Sequence, residues 1–124
     1  MILHICDRAT LDAARADGAL HPDSLDTVGF VHCSDPGTVH LPASALYAGR
    51  EDLVVLEVDP ARLAEHDVPL RWEPGQRDGR TEDPTGPWFP HVYGPLPLAA
   101  VVAEHPWRPE PDGTFRPPPA LRER

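Results

Sequence analysis

The residues best equipped for chemistry in this chain are His4, His32 and His91, three of its seven histidines, each inside or beside an apolar, strand-like segment. An imidazole can move protons near neutral pH, hold a ligand hydroxyl or bind a metal. Alternation of side chains along a strand puts Ile2, His4 and Cys6 on one face of a first strand. The same rule puts Phe30 and His32 together on a second, so His4 and His32 converge if the two strands are neighbours. Each histidine alone fits a hydrogen-bonded, partly buried side chain without a ligand; the three together point to a site. With Cys6 or Cys33 they would also supply the nitrogen and sulfur ligands that zinc prefers, although no short-spaced pair such as Cys-x-x-Cys or His-Glu-x-x-His is present. Cys33 follows His32 directly, and adjacent strand residues face opposite ways, so these two do not pair as nucleophile and base.

Two other features extend the candidate set. Phe89-Pro90-His91-Val92-Tyr93-Gly94-Pro95-Leu96 holds an imidazole, a phenol and a glycine between prolines that restrict the backbone on both sides. It reads either as a structural turn or as a preorganised ligand wall with His91 and Tyr93 as its polar groups. Glu73, between Trp72 and Pro74, stands at the mouth of a long loop, where its carboxylate is either solvated or within reach of a bound sugar hydroxyl.

The elements that must position these groups follow from local pattern. Met1 to Cys6 is an apolar strand, and Asp7 behind it can cap a helix from Thr10 to Gly18. A second strand is expected at 29–33. Ser34, Asp35 and Pro36 have the order of a helix start, and the helix runs toward Gly49 with Pro42 as a break. Asp52 to Asp59 is the clearest strand, aliphatic and β-branched almost throughout, and is expected to be central and buried. Pro60 to Leu63 suggests a helical turn, Leu70 to Glu73 a short strand and Leu98 to Glu104 a final strand. Residues 74–90, with four prolines and three glycines, read as a long loop anchored by Trp88 and Phe89. The segment from 108 to 124 reads as a proline-rich, flexible tail, which leaves residues 1–107 as a single α+β domain.

A chain of 124 residues has room for one core. Its net charge of −9, with arginine as every basic residue, disfavours nucleic acid and acidic membranes, which require basic surface. The N-terminal segment lacks the basic start and long apolar stretch of a signal peptide. Two cysteines in apolar runs do not make a disulfide framework, so the expectation is a cytoplasmic protein with reduced thiols. A small-molecule ligand is the expected partner; oligomeric state is left open.

Taken in order, Leu3-His4, Gly29-Phe30-Val31-His32-Cys33-Ser34, Tyr47-Ala48-Gly49-Arg50, Asp52 to Asp59, Leu70-Arg71-Trp72-Glu73 and Phe89 to Leu96 resemble a small bacterial family, domain of unknown function 952 (DUF952), over roughly residues 1 to 107. A more distant resemblance is to ADP-ribosyltransferase folds, which implies two small packed β-sheets with short flanking helices. It implies NAD as a possible substrate, His4 on a ribose hydroxyl, His32 at the second-strand tyrosine position with Ser34 following, and Glu73 as candidate for the acidic residue that stabilises a ribosyl cation. On this reading His4, His32 and Glu73 are catalytic, and Ser34, His91, Tyr93 and Gly94 bind ligand. The alternatives are a noncatalytic module for a nucleotide-like or anionic ligand, and a His/Cys zinc-binding protein.

Overall fold

A computed structural model describes residues 1–75 and 85–118. In chain order the elements are β1 (Ile2–Asp7), α1 (Arg8–Asp17), β2 (Ala19–Leu20), α2 (Ser24–Thr27), β3 (Val31–His32) and α3 (His40–Leu46). They are followed by β4 (Leu53–Val58), α4 (Pro60–Glu65), β5 (Leu70–Pro74), β6 (Trp88–Val92), β7 (Leu96–Pro97), a 3₁₀ turn at Leu98–Ala100, and β8 (Val101–Trp107). An aspartate at the end of β1 and another directly after β4 start the next helices. Asp7 accepts from the Thr10 amide at 2.7 Å, and Asp59 accepts from the Ala61 amide at 2.9 Å with Pro60 in the first turn. Gly18 closes α1 in the left-handed region at φ 78°, returning its N–H to the Ala14 carbonyl.

The α+β class is as expected, but among the described residues the strands form three small antiparallel sheets rather than two. Their orders are β1-β4-β8, β2-β7 and β3-β6-β5. A reciprocal bridge between Leu3 and Ser34, each amide 2.7 Å from the other's carbonyl, stitches the edge of β1 to the residue beyond β3. All six residues of β4 are buried, because its neighbours β1 and β8 satisfy both edges of its backbone and its two faces enter different cores. Val54, Leu56 and Val58 join Leu11, Leu20, Val31 and Val92; Leu53 and Val55 join Leu3, Val39, Trp107 and Phe115. One position in β4 breaks the apolar pattern: Glu57 is buried and bonded to His105 Nε2 at 2.6 Å.

Several local expectations are revised. Pro42 does not break α3; it lies in the first turn, where the missing N–H has no helical partner to lose. The final strand starts at Val101 because Leu98–Ala100 is taken up by the 3₁₀ turn. The loop expected over 74–90 is shorter at its described ends, where Trp88 already belongs to β6 and the Gly75 amide bonds the Pro87 carbonyl at 3.0 Å. A β-carbon on Gly75 would lie 2.8 Å from the Phe89 ring, so this crossing requires glycine; the rest of that loop, 76–84, lies outside the described residues. The tail beyond 107 is packed as far as Pro118. Phe115 is buried against Trp107, its amide bonds Ser44 Oγ at 2.9 Å, and the Gly113 carbonyl accepts from Gly49; residues 119–124 lie outside the described set. Among the described residues no helix is long and apolar enough to cross a membrane.

Phe115→Ala is expected to cost about 3 kcal/mol in urea unfolding, the scale of an emptied aromatic site in a core. A loss under about 0.5 kcal/mol, the surface range, would mean that residues 108–118 do not belong to the folded unit.

Candidate functional site

An open cleft of about 1070 Å³ lies between α3, the α2 segment and the strand ends that carry the histidines, large enough for a nucleoside-sized molecule. Its floor includes His4, His32, Ser34 and His91, and its walls include the exposed apolar side chains Val28, Leu41 and Leu46. Among the described lining residues the charged groups are Asp7 and Asp23, and no arginine is present.

β1 carries His4 into the cleft on the face shared with Ile2 and Cys6. There the buried ring places Nδ1 2.8 Å from the His32 carbonyl oxygen. A carbonyl only accepts, so Nδ1 carries the proton and Nε2 keeps its lone pair. Burial pushes the His4 pKa down, outweighing the His32 carbonyl, which favours the charged ring. His32 sits opposite His91 in the β3–β6 register, with ring centroids 5.8 Å apart, and its side chain is exposed. Desolvation, then the neighbouring His91, lowers its pKa as well.

His91 is held on three sides. Phe30 stacks on the ring at 3.9 Å, His32 meets it edge-on, and Nδ1 lies 3.1 Å from Glu73 Oε1. Tyr93 donates its hydroxyl to the same carboxylate oxygen, and the Arg71 guanidinium lies 5.4 Å from the Tyr93 ring centroid. The Tyr93 hydroxyl, and after it His91, hold Glu73 below the usual carboxylate range despite its partial desolvation. An ionised carboxylate only accepts, so His91 is also protonated at Nδ1, and its Nε2 makes no hydrogen bond among the described residues.

Of the sequence candidates, His4, His32, Ser34 and His91 line one cleft, whereas Glu73 and Tyr93 stand behind His91 and reach the cleft through it. Gly94 is outside the cleft lining, where a β-carbon would meet Val68 at 3.5 Å. Burial pushes the Cys6 thiol up to about 11 and the Cys33 thiol to about 12, so neither supplies a thiolate near neutral pH. Among the described residues no group of three or more His, Cys, Asp or Glu side chains is arranged to hold a metal ion, so the zinc alternative finds no cage there. The sequence reading missed Phe30 as the platform for His91 and α3 as a cleft wall. The available signal was that α3 is apolar on both sides: Val39 and Ala43 face the core while Leu41 and Leu46 remain outside it.

A family profile described as protein of unknown function (DUF952) matches residues 5–104. The chain is similar to the crystal structure of protein CC0527 from Caulobacter crescentus, at 30% identity and a TM-score of 0.76, covering 93% of this chain and 92% of that one. The solution NMR structure of the same protein gives 32% identity and a TM-score of 0.72 over 93% of this chain and 90% of that one. No curated protein matches.

Because His4 and His32 bind protons less readily folded than unfolded, the unfolded chain takes up more protons below the ordinary imidazole value of 6.5. Stability is therefore fully present above that pH and falls as pH drops below it. Urea midpoints measured from about pH 7.5 down to about pH 5.5 should decline in the wild type and decline less in His4→Gln; equal slopes would contradict the assignment.

Proposed function

The chain belongs to the DUF952 family, described only as of unknown function, and we propose that it binds a small, hydroxyl-bearing, nucleoside-like molecule without net negative charge in the cleft over His4, His32 and His91. One observation carries this reading. His4 and His91 both have Nδ1 occupied by a partner that only accepts, so each neutral ring keeps its lone pair on Nε2, and both residues line one cleft. Such a floor asks for hydrogen-bond donors, and ribose hydroxyls are donors; the apolar walls suit a flat heterocycle. Asp7 and Asp23, with no arginine among the described lining residues, support an uncharged ligand over a bare phosphate or pyrophosphate.

The narrower reading, an ADP-ribosyltransferase-like enzyme acting on NAD, draws support only at the nicotinamide end, since the same lining does not favour the pyrophosphate of NAD. The nicotinamide riboside half of NAD is cationic, and Glu73 is a carboxylate held ionised behind His91. A fixed anion stabilises positive charge that develops as a glycosidic bond breaks. Glu73 is one imidazole removed from the cleft, so this support is indirect. The two buried free thiols, Cys6 and Cys33, support a reducing compartment such as the cytoplasm.

Thermal shifts with adenosine, nicotinamide riboside, NAD and ADP-ribose test both readings. The nucleosides should stabilise the wild type, by about 2.7 kcal/mol at 100 times the dissociation constant, and not His4→Ala, while His66→Ala behaves as the wild type. A flat response across the panel would overturn the binding reading. Nicotinamide release from NAD that is lost in Glu73→Gln is the expected result for the narrower one, and absence of release would remove it.

A further inference from the structure

Simple ligand binding does not require the chain of groups behind His91. A carboxylate that accepts from both an imidazole and a phenol, on a ring already clamped by Phe30, fixes the tautomer and the plane of that imidazole. We propose that His91 is a general base, its Nε2 taking the proton of a water in the cleft during hydrolysis of an uncharged ester, with Glu73 as the positioning residue that Tyr93 supports. This rests on the reading of the cleft as the ligand site, though not on the nucleoside-like shape of the ligand.

The step balances within the site. As the water oxygen bonds to the ester carbonyl carbon, its proton passes to Nε2 and the carbonyl electron pair moves onto oxygen. On collapse, the bond to the alcohol oxygen breaks; that oxygen leaves with the electron pair and takes the proton back from Nε2. Acid and alcohol are the products, and the imidazole returns to its neutral form. The Glu73 carboxylate stabilises the transient imidazolium through Nδ1–H, the role a carboxylate plays behind a catalytic imidazole in general. The uncharged class follows from the lining: apolar walls, two aspartates and no arginine among the described residues. The titratable and charged groups around His91 are Glu73 and Arg71 from β5, Tyr93 just beyond its own strand and His32 from β3; His4 of β1 is linked to it through the His32 backbone.

The test is release of nitrophenolate from para-nitrophenyl acetate by the full chain. His91→Gln should lower kcat about a hundredfold, while His66→Gln, an exposed histidine, reports background imidazole reactivity and should match the wild type. Glu73→Gln should lower kcat with KM little changed, and Glu73→Asp should restore part of the rate. Equal rates in wild type and His91→Gln overturn the proposal, and a Glu73→Gln loss that appears in KM rather than kcat, or that Glu73→Asp does not relieve, overturns the positioning role. If His91→Gln does not fold, diethyl pyrocarbonate labelling of the wild type decides. His91 should react at least as fast as His66 despite its burial, and slower reaction overturns the base. Esterolysis that fails in a protein still stabilised by nucleosides removes the base and leaves the binding reading. Esterolysis without any nucleoside shift removes that ligand class and keeps the base.

Discussion

The burial of β4 on both faces and along both edges is the constraint on which the rest of this structure depends. Six consecutive buried residues require a strand on each side for their amides and a packed layer on each face for their side chains. β1 is one of those strands, so its direction and register are set by β4 rather than by the site it serves. That register points Ile2, His4 and Cys6 toward the core shared with Val31 and Val92, and leaves the far edge of β1 to bridge Ser34. His4 therefore meets the His32 carbonyl as a consequence of how the central strand is satisfied. Glu57 shows the same demand from the opposite side. A buried carboxylate costs several kcal/mol of desolvation unless paired, and the His105 bond 2.6 Å away supplies a partner from the neighbouring strand.

The chemistry of the cleft rests on a second, smaller constraint: what the partner of an imidazole can do. Backbone carbonyls and ionised carboxylates only accept hydrogen bonds, so a ring bonded to either through Nδ1 has no choice of tautomer while neutral. His4 and His91 reach this condition by different routes, one through a strand edge and the other through a cross-strand side chain. In both cases the second nitrogen keeps the lone pair. Phe30 adds rigidity at His91, since a ring stacked at 3.9 Å resists rotation out of the carboxylate's plane.

Features coded within a few residues were legible beforehand. The caps at Asp7 and Asp59, the stop at Gly18, the apolar run of β4 and the segments shared with the DUF952 family all involve neighbours along the chain. Features that depend on partners far along the chain were not. The count of sheets was misjudged because β2 and β7 are two-residue strands with no periodicity to detect. Proline-rich composition predicts a poorly buried tail after Trp107, whereas one aromatic, Phe115, suffices to dock the segment against a tryptophan.

By itself the sequence determined that three histidines sit in strand-like surroundings, that His4 shares a face with Ile2 and Cys6, and that Glu73 and Tyr93 lie near His91 in the order of elements. Periodicity along one strand supplies this, because the pleat decides which side chains share a face. Tertiary structure alone decided that Glu73 addresses His91 rather than the cleft, and that His4 bonds a backbone carbonyl rather than another ring. The physical reason is register: Glu73 and His91 are 18 positions apart and His4 and His32 are 28 apart. A one-residue slip in either pairing would have turned the side chains to opposite faces.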